Sequence, residues 1–140
     1  MASEQVVART RNGYYDEYPK GTGNDIVPGY LVAPDSAGNV NPADASSIAA
    51  GLKMIAKEDS LQGNTGADNS AADGEIVSVF TPVSGDRAWL RSTAAAIAIG
   101  DYVEGTATGR IQTYSSGTII GVAKSTGDGT ANDQVLVEFL

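Results

Sequence analysis

Short runs of β-branched and aromatic residues, each bounded by Gly, Ser, Asn or Asp, fill the last third of the chain. They are Ile97–Val103, Gly109–Tyr114, Thr118–Ala123 and Gln134–Leu140. This is the pattern of strands joined by tight connections, and it predicts a small antiparallel β unit. Upstream, Gly29–Ala33 runs into the turn Pro34–Asn39 and then Val40, a second strand and turn. Gly74–Pro82 reads as a strand, Ser84-Gly85-Asp86 as a turn, and Arg87–Ser92 as the returning strand of a hairpin. Alternation in that last strand sets Ala88 and Leu90 on one face and Arg87, Trp89 and Arg91 on the other. Between these segments, Asn41–Gly51 predicts at most one short helix, capped by Asp44 or Ser46 and closed by Gly51. Helix propensity favours continuing it through Leu52–Lys57. Asp59–Asp73 is almost free of apolar residues and is expected to be an exposed loop.

The two glycine-led strands echo one another at an offset of 71: Gly29 with Gly100, Val32 with Val103, Gly38 with Gly109, Val40 with Ile111. A common hairpin with Gly38 and Gly109 at positive φ accounts for the match. Two independent solutions to one turn account for it equally well.

Residues 1–27 differ from the rest. Tyr14, Tyr15 and Tyr18 crowd into this stretch, with Gly13, Pro19, Gly21 and Gly23 breaking any helix. Tyr and Arg are the residues of interface anchors. The segment therefore reads as an extended N-terminal arm lying on a partner, dispensable for folding of a single β domain over 28–140. A frayed terminus, or an edge strand covering its own domain, is the other reading.

Charge and composition narrow the chemistry. The formal net charge of −8 falls on residues 28–140 together with Asp25, which argues against nucleic acid or an anionic membrane as partner. The absence of His removes the usual general base, and the absence of Cys removes thiolate metal sites. No Ser-x-x-Lys occurs, and Gly21-Thr22-Gly23 and Gly127-Asp128-Gly129 lack the rest of a phosphate loop. Asp68, Asn69, Asp73 and Glu75, and separately Asp128, Asn132 and Asp133, are the acidic groups to test for calcium, but neither has EF-hand spacing. No run of 18 apolar residues and no signal-peptide pattern is present, so a soluble protein is expected, with no enzymatic activity, cofactor or metal.

Ile99-Gly100-Asp101-Tyr102-Val103, Gly109-Arg110-Ile111-Gln112, Ile120-Gly121-Val122-Ala123 and Val135-Leu136-Val137 together resemble the capsid decoration, or cement, proteins of tailed bacteriophages and related viruses. Upstream, Met54–Asp59 with Gln62-Gly63, and Gly74–Val77, are similar to that family as well. The resemblance covers about Pro28 to Leu140 and implies a strand, not a helix, over residues 52–57. The chain departs from the family in its longer tyrosine-rich front. The expected fold is mainly β: a small antiparallel β-barrel or sandwich of about seven to nine strands, with an extended N-terminal arm and at most one short helix. The resemblance implies a virion protein on the outer surface of the capsid that binds the major capsid protein and other copies of itself, as a trimer. Val6, Arg9, Arg11, Tyr14, Tyr15 and Tyr18 of the arm, and Arg87, Trp89 and Arg91, are the candidate capsid or subunit contacts. A carbohydrate-binding or adhesin-type β module is the alternative, and a two-carboxylate glycosidase a more remote one.

Overall fold

A computed structural model describes residues 6–10, 13–22, 25–58 and 73–140 of the chain. The chain is mainly β, with antiparallel sheets in a sandwich-like arrangement and no closed barrel. Among the described residues there are thirteen strands: β1 (Val7–Arg9), β2 (Tyr14–Pro19), β3 (Leu31–Pro34), β4 (Val40–Pro42), β5 (Met54–Ala56), β6 (Ile76–Thr81), β7 (Arg87–Arg91), β8 (Ala96–Ile97), β9 (Tyr102–Gly105), β10 (Ile111–Thr113), β11 (Ile119–Ala123), β12 (Gly127–Asp128) and β13 (Gln134–Phe139). The excess over the expected number comes from the front of the chain, which supplies two strands, and from the two-residue ribbon of β8 and β12.

The one helix among the described residues, α1, is Ala45–Ala49. Asp44 caps it by accepting the Ser47 amide at 2.8 Å, and Gly51 at φ +96 lets the chain leave it. Met54–Ala56 is a strand whose three residues are all buried, so the tertiary environment overrides helical propensity there. The polar stretch 59–72 lies outside the described residues.

Two sheets carry the fold. One has the order β2-β6-β5-β3-β4, the other β1-β7-β13-β11-β9-β10. With β1 set aside, the second order is the first over again. Val32 pairs with Pro42 and Pro34 with Val40 in one hairpin; Val103 pairs with Thr113 and Gly105 with Ile111 in the other. These are equivalent residues at the offset of 71. The correspondence extends to hydrogen bonds outside the ladders: Gly29 N to Ala56 O answers Gly100 N to Ala123 O, and Lys57 N to Ser78 O answers Lys124 N to Leu136 O. Lys20 N to Glu75 O answers Ser92 N to Asp133 O, and Gly21 N to Val40 O answers Thr93 N to Ile111 O. The chain is thus built as two consecutive halves, 14–81 and 87–139, on one plan. The echo read in the hairpins is a small part of it.

In each half the residue after the first strand meets the last strand of the same sheet at a parallel bridge, Lys20 with Val40 and Ser92 with Ile111. Each sheet curls around its own apolar side, touching at one point without closing. Val32, Val40, Met54, Ala56, Val77 and Val79, with Ile26, form the cluster of the first half. Val103, Ile111, Ile120, Ala123, Val135 and Val137 occupy the second, and there the back of the first sheet joins them through Leu31, Ile55 and Phe80.

The expected hairpin of Gly74–Pro82 with Arg87–Ser92 does not form. β6 belongs to the first sheet and β7 to the second, so the turn between them is the crossing from one half to the other. Buried Asp86 holds this crossing: its Oδ2 accepts the Val83 amide at 3.0 Å and the Thr10 hydroxyl at 3.1 Å. A turn flanked by two strand-like runs looks like a hairpin from sequence, whichever sheet each run joins.

Candidate functional site

The front of the chain is built into both sheets. β1 pairs antiparallel with β7 (Val7 opposite Ala88), and all six residues of β2 pair with β6 (Tyr14 opposite Thr81 through Pro19 opposite Ile76). For the described residues, the reading as strands covering their own domain is the one the fold adopts. Val6, expected on a contact surface, is 0 % exposed in the core. Its amide donates to Glu58 Oε2 at 2.9 Å, and its carbonyl accepts the Trp89 amide at 2.7 Å. A small apolar side chain beside a sheet edge is worth more inside than on a contact. Arg9 lies in β1 opposite Arg87, and Arg11 lies outside the described residues.

Two of the three tyrosines of β2 face solvent. Tyr14 is 70 % and Tyr15 56 % exposed. Tyr15 stacks obliquely on Phe80, with ring centroids 5.2 Å apart, and the Lys57 ammonium stands 5.6 Å from the Tyr15 ring centroid. Tyr18 is half-buried against the first-half cluster. Its hydroxyl donates to Asp16 Oδ2 at 3.3 Å, and the Asp16 charge beside it holds the phenol above its ordinary range. Tyr15, Asp16, Glu17, Lys57 and Ser78 line an open groove of about 440 Å³ along this edge.

Arg87, Trp89 and Arg91 lie on the same face of β7 as alternation requires, but only two of them reach the surface. Arg87 is half-buried and paired with Glu138, Nε to Oε1 at 2.9 Å. Trp89 is half-buried. Arg91 is 4 % exposed and donates from Nε to the Pro28 carbonyl and from Nη1 to the Asn132 carbonyl, each at 3.0 Å. Arg91 is thus a clasp between the halves and not a surface contact, because Pro28–Gly29 folds over its guanidinium and supplies the acceptors a buried cation requires. Tyr14, Tyr15 and Tyr18 belong to one sheet and Arg87, Trp89 and Arg91 to the other, so the two sets form separate surfaces.

Trp89 borders a second groove, of about 270 Å³, with Ser125, Thr126, Asp128, Asp133 and Gln134. The Thr130 amide donates to Asp128 Oδ1 at 2.8 Å and lowers the Asp128 pKa. The Asp133 carboxylate accepts the amides of Asp128 and Gln134, at 3.0 and 2.9 Å. These acids are spent on their own loop, and no group of three metal-ligating side chains occurs among the described residues. Of the other calcium candidates, Asp68 and Asn69 lie outside the described residues, while Asp73 pairs with Lys20 at 2.6 Å.

Sequence reasoning missed Lys57, which stands at the open edge, and Arg110, which joins Tyr30 and Asn132. Arg110 donates from Nε to Asn132 Oδ1 at 2.6 Å and from Nη2 to the Tyr30 hydroxyl at 2.8 Å. The offset of 71 pointed only to the hairpins. Lys57 answers Lys124 in the repeat at an offset of 67, because the connections between the strands differ in length, so the hairpin offset alone did not pair them. No protein-family model matches the chain, and the curated proteins hold no match to it.

Proposed function

We propose that this chain is a capsid decoration protein, which binds the outside of an icosahedral viral head as a trimer and stabilises the lattice of major capsid protein. The observation that carries this reading is the resemblance of Ile99–Val103, Gly109–Gln112, Ile120–Ala123 and Val135–Val137. These stretches correspond to β9, β10, β11 and β13, the framework of the second half, so the likeness concerns the fold-determining positions. The exposed aromatics Tyr14, Tyr15, Tyr102 and Tyr114 suit a protein that works by contact. The mechanism is mechanical: area buried across subunit seams must be re-exposed before the lattice expands or bursts.

Co-sedimentation with capsids stripped of this protein, paired with light scattering of the free protein, tests the reading. Saturable binding at a fixed ratio to capsid subunits, with a raised capsid melting temperature, is the expected result. Absence of binding by folded protein overturns it. The alternative, a carbohydrate-binding module, draws on the groove that Trp89 lines together with Ser125, Thr126, Asp128, Asp133 and Gln134. A glycan screen with a Trp89→Ala control addresses it.

A further inference from the structure

The internal equivalence of the two halves identifies a place for a strand that none of the described residues fills. In the second half the first strand, β7, has β13 on one side and β1 on the other. Its outward amide, that of Trp89, donates to the Val6 carbonyl. In the first half the equivalent strand, β2, has β6 on one side and no strand on the other among the described residues. The residue equivalent to Trp89 is Glu17. Its amide points away from β6, as the Lys20 amide, three residues on, points toward it to reach the Glu75 carbonyl. The acceptor for the Glu17 amide is the carboxylate of its own neighbour, Asp16 Oδ1, at 3.0 Å. A side chain stands in where a strand carbonyl sits in the other half.

We infer that the outer edge of β2 is a docking site for an extended strand of a partner protein carrying Lys or Arg at alternate positions, added antiparallel in the place β1 occupies beside β7. The side chains at the edge select the occupant. Tyr-Tyr-Asp-Glu-Tyr-Pro puts two acids at its centre, and directly opposed like charges destabilise a pair of strands. Two β2 strands paired antiparallel about that centre set Asp16 and Glu17 against the same acids of the other copy, so the edge rejects self-association. A basic strand reverses that sign, in keeping with the net charge of −8. Tyr14 and Tyr15 supply exposed aromatic area beside the same edge, and Pro19, lacking an amide hydrogen, ends the ladder. On docking, the partner's carbonyl takes the Glu17 amide, and the Asp16 carboxylate is released to meet the incoming cation. The inference rests on the repeat and on charge, not on the capsid reading.

The test uses the full chain and a synthetic capped octapeptide alternating valine with lysine, with an otherwise identical glutamate peptide as control. Amide exchange and chemical shifts are followed by NMR. The lysine peptide is expected to slow exchange at Tyr15 and Glu17, saturably and less at high salt, with the glutamate peptide inert. Glu17→Lys, with the fold checked by its spectrum, is expected to weaken lysine-peptide binding at least tenfold. Tyr15→Pro, which removes an outward amide and no bond to β6, is expected to weaken it similarly. Equal binding of both peptides, protection elsewhere in the chain, or no protection at millimolar peptide overturns the proposal.

Discussion

Leu31 donates its backbone amide to the carbonyl of Gly109 at 2.7 Å, joining the first half to the second at a glycine whose own amide reaches the Ala43 carbonyl at 3.0 Å. A Cβ on Gly109 would stand 2.6 Å from the Leu31 carbonyl oxygen. Across the same junction, a Cβ on Gly29 would meet the Trp89 carbonyl oxygen at 2.9 Å and Arg91 Cγ at 3.1 Å. Their counterparts Gly38 and Gly100 have open space around the same position.

All four glycines have positive φ, yet alanine should affect them unequally. Gly38→Ala and Gly100→Ala incur only the backbone cost, about 1 to 2 kcal/mol. Gly29→Ala and Gly109→Ala add collisions with backbone oxygen and should lose about 3 kcal/mol or more. Urea denaturation of the four variants gives the ranking, and equal losses would show that the halves do not meet as described.

Lys20 and Asp73 form an asymmetric pair, with side chains 3 % and 57 % exposed. The Lys20 ammonium also donates to the Gly21 carbonyl at 2.9 Å. Lys20→Met leaves a carboxylate that water can solvate, so its cost should stay near 1 kcal/mol. Asp73→Ala strips the counter-ion from a buried cation and should cost about 2 to 4 kcal/mol. Thermal unfolding of both variants should show the aspartate change as the worse one.

Buried Glu104 gathers the turn after β10. Its carboxylate accepts from Gln112 Nε2 at 2.8 Å, the Ser115 hydroxyl at 3.2 Å and the Ser116 amide at 3.3 Å, besides the Gly117 amide. The Gln112 bond, first among these, lowers the Glu104 pKa against the opposing effect of burial. A lowered folded-state pKa means stability that is fully present above the ordinary glutamate range and disappears as pH falls through it and below. Glu104→Gln should cost about 1 to 3 kcal/mol at neutral pH. The gap from wild type should narrow toward pH 3, and a constant gap across that range would refute the assignment.

Deleting residues 1–18 should unfold the chain, because Val6 is in the core and β2 forms six register pairs with β6. The sequence-based expectation of a dispensable arm is therefore replaced by point variants. Tyr14→Ser with Tyr15→Ser should leave the melting temperature within a few degrees while weakening capsid association, if the capsid reading holds. Undiminished co-sedimentation would remove these tyrosines from the contact.

Legibility from sequence followed how local each cause was. Asp44 and Gly51 marked the helix ends, because capping is decided within a few residues. The hairpins β3–β4 and β9–β10 were readable, their turns needing Gly38 and Gly109. Which sheet β7 joins was not readable, because that depends on β13, Arg87 pairing with Glu138 far along the chain. Arg91 looked like a surface cation for the same reason. Its acceptors on Pro28 and Asn132 are distant in sequence, and only the fold assembles them.

The chain is written as two sheets in succession, yet β1 precedes the first and pairs in the second. During synthesis the sheet of 14–81 has all its strands before the second begins, whereas β1 must wait until Arg87–Arg91 has emerged. Val7 meeting Ala88 spans the whole first half, and a strand pairing closed over so long a loop forms slowly. Substitutions at that joint should therefore alter the rate at which newly made chains mature more than those inside either hairpin.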